Sequence, residues 1–207
     1  MILSHSKQFI FFAVPKTGTH AVREVLREVQ VDSDWEQQVL FGQQYSPIAE
    51  IAKIGHGHVT AQQLAPHLDP ILWRNYFKFA FVRNPYDRFI SICFFLNRSN
   101  SEFLEAPLEW MKLAMQRPQF RRRVLVMPQY LQLINGQGHL ALDFIGRYEM
   151  LQASVDEVCK NLQIPVRRLK KTNTSEHKGY REYYDEELKC WVESYYRDDL
   201  KHFNYGY

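Results

Sequence analysis

The sequence lacks the features that mark several large classes of protein. No stretch of its 207 residues approaches the roughly 18 uninterrupted apolar residues of a membrane span. The nearest candidate, residues 9–14, is shorter than the core of a signal peptide and runs directly into Pro15 and Lys16. The three cysteines are odd in number and widely spaced, so they form neither a disulfide framework nor a metal-ligand cluster. We therefore predict a cytoplasmic protein with reduced cysteines and no membrane span.

The chain also has little net charge. Charged residues make up 24% of the sequence, hydrophobic residues make up 45%, and the formal net charge at pH 7 is only +3. This composition excludes a disordered chain and a strongly basic nucleic-acid-binding domain. The length suits one domain, which we assign to residues 1–207. Any site for an anion must then be local.

Strand patterns alternate with helix patterns along the chain. Short apolar runs predict buried strands at residues 8–14, 77–82 and 143–148. Helical spacing predicts helices from Thr19 onward, after Pro85, at 154–162 and at 185–202. In the first of these helices, Arg23 and Arg27 occupy polar positions between the apolar ones. The alternation predicts an α/β fold with a mainly parallel central sheet flanked by helices.

The loop between the first buried strand and its helix suits an anion. In this P-loop-like arrangement, backbone N–H groups and the helix dipole converge on one point. Gly18 permits close approach of the backbone, Thr17 and Thr19 offer hydroxyl groups, and Lys16 supplies a mobile positive charge. A structural turn with a solvated lysine is the alternative.

This loop differs from that of the nucleotide triphosphatases. Their loop is longer and ends in Gly-Lys followed by Ser or Thr, whose hydroxyl binds magnesium. The next predicted strand here ends in Arg83, where a metal-dependent phosphate enzyme often has an aspartate. An arginine at that position favours an anion site that needs no metal.

A second motif gives the loop its family resemblance. The segment FVRNPYDRFIS at residues 81–91, with VPKTGTH at residues 14–20, resembles the paired donor-binding signature of the sulfotransferase superfamily. The resemblance is strongest to the carbohydrate branch, sulfotransferase family 2. It implies 3′-phosphoadenosine-5′-phosphosulfate as sulfate donor, no metal, and an acceptor hydroxyl on a carbohydrate.

The resemblance also assigns residues to the two ends of the donor. It places Lys16, Thr17, Gly18, Thr19 and His20 at the 5′-phosphosulfate end. It makes Arg83 and Ser91 the ligands of the 3′-phosphate. Two structural alternatives stay open, namely an ion pair between Arg83 and Asp87, and a merely buried helix serine at 91.

A histidine pair between the two motifs supplies a candidate base. His56-Gly57-His58 resembles the His-Gly-His element of uronyl 2-O-sulfotransferases, where the second histidine is the base. Neutral imidazole is suited to take a hydroxyl proton near neutral pH. We predict His58 as the base and His56 as its orienting or acceptor-binding neighbour. Alternatively, the two histidines have a structural role, in capping or in packing. His20 is a weaker candidate for the base.

A basic loop before the last helix resembles the variable loop that closes over the donor in this superfamily. We place Lys178, Gly179 and Arg181 near the 3′-phosphoadenosine, against the alternative of a solvated basic loop. The sequence thus predicts a sulfotransferase. A nucleotide-dependent kinase and a non-catalytic nucleotide- or glycan-binding protein are the alternatives.

Overall fold

The computed structural model describes residues 1–39, 44–169 and 179–207. The chain divides into two compact units, the first comprising Met1–Val82 with Gln129–Thr172 and the second Arg83–Pro128 with Asn173–Tyr207. Each unit has its own buried apolar core. The assignment of residues 1–207 to a single domain stays a prediction.

The first unit contains a mixed sheet. Its strands are β1 (Ile2–Ser4), β2 (Phe9–Phe12), β3 (Trp35–Glu36), β4 (Phe77–Val82) and β5 (Phe144–Arg147), in the order β3-β1-β2-β4-β5. The pairings β2 with β4 and β4 with β5 are parallel. The pairings of β1 with β2 and with β3 are antiparallel.

The mixed sheet corrects the prediction that the sheet is mainly parallel. The three strands predicted from apolar runs are β2, β4 and β5, and these do form its parallel part. The antiparallel part comes from β1 and β3, which have three and two residues, too few for a periodic pattern to show. A tight turn between β1 and β2, with Gln8 at φ 53°, reverses the chain.

The centre of the sheet is built from phenylalanine. All four residues of β2 are buried, and β2 lies between β1 and β4 in the middle of the sheet. Phe11 stacks on Phe79 of β4 at a ring-centroid distance of 5.4 Å. Full burial of such a side chain stabilises the fold by about 1.5–3 kcal/mol. This packing fixes where β2 ends and the anion loop begins.

Six helices of the described chain lie in the first unit. They are α1 (Thr19–Arg27), α2 (Ala49–Ala52), α3 (Ala61–Leu64), α4 (Pro70–Asn75), α9 (Gln129–Leu133) and α10 (Leu151–Asn161). The spacing of Thr60 and Gln63 in the sequence predicts a cap at the start of α3, and the structure confirms it: the Thr60 hydroxyl accepts from the Gln63 N–H, and the Gln63 side chain accepts from the Thr60 N–H. Two 3₁₀ helices, Ala65–His67 and Tyr148–Met150, belong to the same unit.

The second unit is helical in its described residues. Its helices are α5 (Pro85–Leu96), α6 (Ser101–Glu105), α7 (Pro107–Gln116), α8 (Pro118–Arg121), α11 (Glu186–Tyr195) and α12 (Arg197–His202), with a 3₁₀ helix at Tyr180–Tyr183. The single last helix predicted at 185–202 is wrong, since the helix is interrupted at Tyr196. Tyr196 is fully buried, and its hydroxyl donates to the Val126 carbonyl at 2.7 Å. None of the described helices is long and apolar enough to cross a membrane.

The parallel strands position the loop of interest. The carboxyl ends of β2, β4 and β5 lie at one edge of the sheet, where α/β proteins bind their ligands. The loop at residues 13–18 leaves β2 at this edge, and α10 begins four residues after β5 ends.

Candidate active site

The loop that joins β2 to α1 has an unusual backbone. Lys16 and Gly18 both have left-handed conformations, at φ 66° and φ 78°. Gly18 is the N-cap of α1 and supplies no side-chain cap. The first N–H groups of a helix have no partner within it, and they carry the positive end of the helix dipole. Loop and helix together form a concave, positively polarised backbone of the kind that binds phosphate or sulfate.

Gly18 is required at its position for two reasons. Its φ of 78° is unfavourable for any residue with a Cβ atom. A Cβ there would also lie 2.5 Å from Cδ2 of Leu151, at the start of α10, and 3.4 Å from the Tyr148 ring. The close packing of Tyr148 and Leu151 over the loop was missed by sequence reasoning, since it depends on a contact between distant segments.

The other predicted residues of the loop differ in their surroundings. Thr17 is fully buried, and its hydroxyl donates to the Val14 carbonyl at 2.9 Å. Its one hydroxyl hydrogen is therefore used inside the loop. Lys16 and Thr19 are half-buried. His20 points Nε2 at the Glu24 carboxylate, 3.6 Å away, one turn further along α1.

His58 is attached to the base of the same loop. Its Nδ1 lies 2.6 Å from the carbonyl oxygen of Ala13, which directly follows β2. A carbonyl only accepts, so Nδ1 carries the hydrogen and Nε2 keeps its lone pair. Burial, with a smaller effect of nearby positive charge, lowers the pKa of His58 to about 3, against the opposing effect of the Ala13 bond. The side chain is thus a neutral imidazole with Nε2 as its basic atom.

His56 lies beside His58 and is oriented differently. Its Nδ1 accepts from the backbone N–H of His58 at 3.3 Å, which leaves the hydrogen on Nε2. The two rings are 6.1 Å apart at their centroids. Burial lowers the pKa of His56 as well. The structure therefore brings both predicted histidines together and gives them opposite tautomers.

Arg23 lies next to the histidine pair, and its burial was not predicted from the sequence. Helical spacing put it on the polar face of α1, yet it is only 4% exposed. Its Nη2 donates to the carbonyl of Gly57, the residue between the two histidines, at 3.2 Å. Its carboxylate partner Glu36 is 13 residues away in the chain, so local pattern held no signal for the contact.

The second unit holds the other half of the predicted donor ligands. Arg83 directly follows β4 and is 5% exposed, and its Nε donates to Asp87 Oδ2 at 2.7 Å. Ser91 is 1% exposed and lies in α5 one turn after Asp87. The ion pair considered as an alternative for Arg83 is therefore present, and it fixes the plane of the guanidinium group.

The remaining predicted ligands belong to the segment before α11. Arg181 donates through Nη2 to the backbone oxygen of Tyr207 at 3.0 Å and lies over the rings of Tyr180 and Tyr207. Gly179 is exposed and precedes the 3₁₀ helix at Tyr180–Tyr183. Lys178 lies outside the described residues. The role of these three residues stays a prediction.

Comparison with known proteins identifies one family. The model described as the sulfotransferase family matches residues 1–206, a range that includes both motifs and the histidine pair. No curated protein and no solved structure gives a significant match. Among the described residues, no group of three or more His, Cys, Asp or Glu side chains is arranged to hold a metal ion.

Proposed function

The chain belongs to the sulfotransferase family, and on that premise we propose that it transfers a sulfuryl group from 3′-phosphoadenosine-5′-phosphosulfate to a hydroxyl group of a carbohydrate. The observation that carries the proposal is the hydrogen bond between His58 Nδ1 and the Ala13 carbonyl. It attaches a neutral imidazole to the strand end from which the anion loop departs.

The loop supports the 5′ end of the donor in this proposal. Backbone N–H groups at the start of α1 and the Lys16 ammonium group are the groups that attract a phosphosulfate. Gly18 keeps the shape of the loop beside α10, because a side chain there would displace Leu151. Thr17 holds the shape of the loop through its bond to Val14. Thr19 and His20 are further proposed contacts of this end.

Arg83 and Ser91 are the proposed ligands of the 3′-phosphate. A planar guanidinium group suits a phosphate because it donates two parallel hydrogen bonds. Asp87 holds Nε of Arg83, so the group is oriented before any ligand arrives. Gly179, Arg181 and Lys178 are proposed near the adenosine part on the family resemblance alone.

The proposed reaction is an in-line displacement at sulfur. His58 Nε2 takes the proton of the acceptor hydroxyl as its oxygen bonds to sulfur. The bond between sulfur and the 5′-phosphate oxygen breaks, which leaves 3′-phosphoadenosine-5′-phosphate. Lys16 offsets the charge that develops on that oxygen, an effect of about 2.7–4 kcal/mol for comparable preorganised donors. No metal takes part in this scheme.

The proposed acceptor class follows from the histidine pair. The His-Gly-His element supports a carbohydrate hydroxyl through its resemblance to uronyl 2-O-sulfotransferases, and His56 Nε2–H is a donor suited to a sugar oxygen. The cytoplasmic location also remains a proposal.

Calorimetric titration tests the donor first. The protein is titrated with 3′-phosphoadenosine-5′-phosphate in EDTA, and separately with ATP and magnesium. We expect tight binding of the bisphosphate without metal. Preference for magnesium-ATP would contradict the proposal and favour a kinase.

Transfer of labelled sulfate from the donor to a panel of acceptors then tests the reaction. The panel contains uronic-acid glycans, neutral glycans and a tyrosine peptide. His58→Ala should lower the rate of labelling by about 100-fold or more while leaving it measurable, whereas His67→Ala, at an exposed histidine of the same unit, should not change it. Bisphosphate binding with no transfer to any acceptor would favour a non-catalytic binding protein.

A further inference from the structure

The cluster around Arg23 does more than fill the interior of the first unit. Its guanidinium group donates through Nη2 to the Gly57 carbonyl at 3.2 Å and to the Gln37 carbonyl at 3.5 Å. Gly57 stands between the two histidines of the site. A side chain of α1 therefore contacts the backbone of the segment that carries His58.

Glu36 holds Arg23 in place. The Glu36 carboxylate, whose side chain is 1% exposed, accepts from Arg23 Nη1 and from two nitrogens of Arg27. The Arg27 bonds are 2.8 Å from Nε to Oε2 and 2.9 Å from Nη2 to Oε1. Burial raises the pKa of Glu36, but the two arginines outweigh it and keep the pKa below its ordinary value. Loss of either partner would leave an uncompensated buried charge, which strongly disfavours any arrangement that separates the pair.

Gly57 shows how closely the segment is packed. A Cβ at this position would lie 2.7 Å from the Gln37 carbonyl oxygen and 3.1 Å from Arg23 Nη2. Backbone oxygen atoms cannot move aside as a flexible side chain does. The histidine segment is thus seated directly on the Arg23 cluster, with no space between them.

We propose that Arg23, held by Glu36, is a positioning residue that fixes His58 relative to the donor loop. The proposal rests on the proposed role of His58 as base. His58 is attached to Ala13, immediately before the loop, and its neighbour Gly57 is attached to Arg23, in the helix immediately after the loop. The two attachments hold His58 in a fixed position relative to the strand, loop and helix that are proposed to bind the donor. Displacement of a reacting group by about 1 Å lowers a rate about 100-fold.

The test is a double-mutant cycle with a matched control. The proteins are the wild type, His58→Ala, Arg23→Gln and the double variant, with Arg27→Gln as control. Arg27 shares Glu36 with Arg23 but contacts Gln38 rather than Gly57. We measure kcat and KM for the donor, bisphosphate binding, and the ¹⁵N shifts of the His58 ring nitrogens, which report the tautomer.

The expected results distinguish an effect on the position of His58 from an effect on the stability of the fold. Arg23→Gln lowers kcat about 10- to 100-fold, with the donor KM changed about 2-fold or less, and allows both His58 tautomers to populate. Arg27→Gln changes kcat about 3-fold or less. In the His58→Ala background, Arg23→Gln has no further effect on kcat. If Arg23→Gln fails to fold, Arg23→Lys keeps the charge beside Glu36, removes the second nitrogen and is expected to lower kcat in the same way.

Three results would overturn the proposal. A full additional loss of kcat in the double variant would show that Arg23 acts independently of His58. An unchanged His58 tautomer and kcat in Arg23→Gln would show that the cluster is only structural. Retained kcat in His58→Ala, with bisphosphate binding intact, would instead remove the proposed base itself, whatever the tautomer shows.

Discussion

Two buried arginines, one in each unit, are paired with carboxylates in different ways. Arg23 and Glu36 are both nearly inaccessible, at 5% and 1% side-chain exposure, and Arg27 also donates to Glu36. Arg83 is 6% exposed, but its partner Asp87 retains 20%. Other protein groups shield the first pair from solvent, whereas the Asp87 carboxylate of the second pair remains in contact with solvent.

The difference suggests different functions for the two charges. A closed pair holds backbone in place, and Arg23 does this at Gly57. A pair with a partly exposed carboxylate keeps a guanidinium group oriented while a ligand binds. We therefore expect changes in the first unit to alter the rate of transfer, and changes at Arg83 to alter the affinity for the donor.

Lys16→Met should give the largest effect and would sharpen this division. It removes the ammonium group from the loop and keeps most of the side-chain stem. Loss of one charge-stabilising group lowers kcat by about 100- to 1,000-fold, while the bisphosphate, which lacks the sulfuryl group, loses less affinity. Single-turnover transfer and calorimetry measure the two quantities. The control is Lys53→Met, at an exposed lysine of the same unit, which should leave both unchanged.

Arg83→Ala should give the opposite pattern. Removal of a hydrogen bond to a charged group costs about 1.5–3 kcal/mol, which is about a 10- to 100-fold loss of bisphosphate affinity. At saturating donor, kcat should change little. The matched variant Asp87→Asn keeps an oxygen that accepts from Arg83 Nε and should bind the bisphosphate nearly as tightly as the wild type. A fall in kcat at unchanged bisphosphate affinity in Arg83→Ala would contradict the assignment of rate to the first unit and of donor affinity to Arg83.

Alanine substitutions at three glycines of the first unit separate the two reasons for glycine at position 18, which are its backbone conformation and its contact with Leu151. Gly18→Ala combines a left-handed backbone with a Cβ 2.5 Å from Leu151, and we expect it to lower the free energy of unfolding by about 2–3 kcal/mol. Gly138→Ala has a similar φ of 80° in open space and should cost about 1 kcal/mol. Gly136→Ala, in open space without a positive φ, is the control.

Urea unfolding measures all three free energies, and calorimetry with the bisphosphate shows whether the loop still binds. Equal losses in Gly18→Ala and Gly138→Ala would mean that Leu151 moves aside freely, and that backbone conformation alone requires glycine in the loop.

Local patterns in the sequence predicted the part of the site that local structure determines. The apolar run at Phe77–Val82 has the bounds of β4, and the capping box at Thr60 is present as predicted. The loop at residues 13–18 lies between a strand and a helix for the same reason. These features depend on neighbouring residues, whose spacing is visible in the chain.

Contacts between distant segments could not be predicted in this way. Helical spacing made Arg23 a surface residue, because the buried carboxylate that pairs with it comes from a two-residue strand. The antiparallel strands were missed because they are too short to show a period. The prediction of His58 came from family resemblance, and its tautomer became visible only with the Ala13 contact.

The pH dependence of stability gives the most specific effect. Burial lowers the native pKa of His58 to about 3, while an unfolded histidine titrates near 6.5. Between these values the unfolded chain binds a proton that the native chain does not, so this group makes stability rise with pH. The contribution is complete above pH 6.5 and is lost as the pH falls toward 3. Its maximum slope is about 1.4 kcal/mol per pH unit.

His58→Gln isolates that contribution, since glutamine keeps a donor for the Ala13 carbonyl and does not titrate. Urea unfolding of both proteins is measured at about pH 4.5, 5.5 and 7.5, which covers the range over which the His58 contribution changes. It gives the slope of the free energy of unfolding against pH for each protein. We expect the variant to have the smaller slope below pH 6.5 and the same slope above it. His67→Gln should follow the wild type. Equal slopes in His58→Gln and the wild type would mean that His58 is solvated in the native protein, and that burial does not keep it neutral.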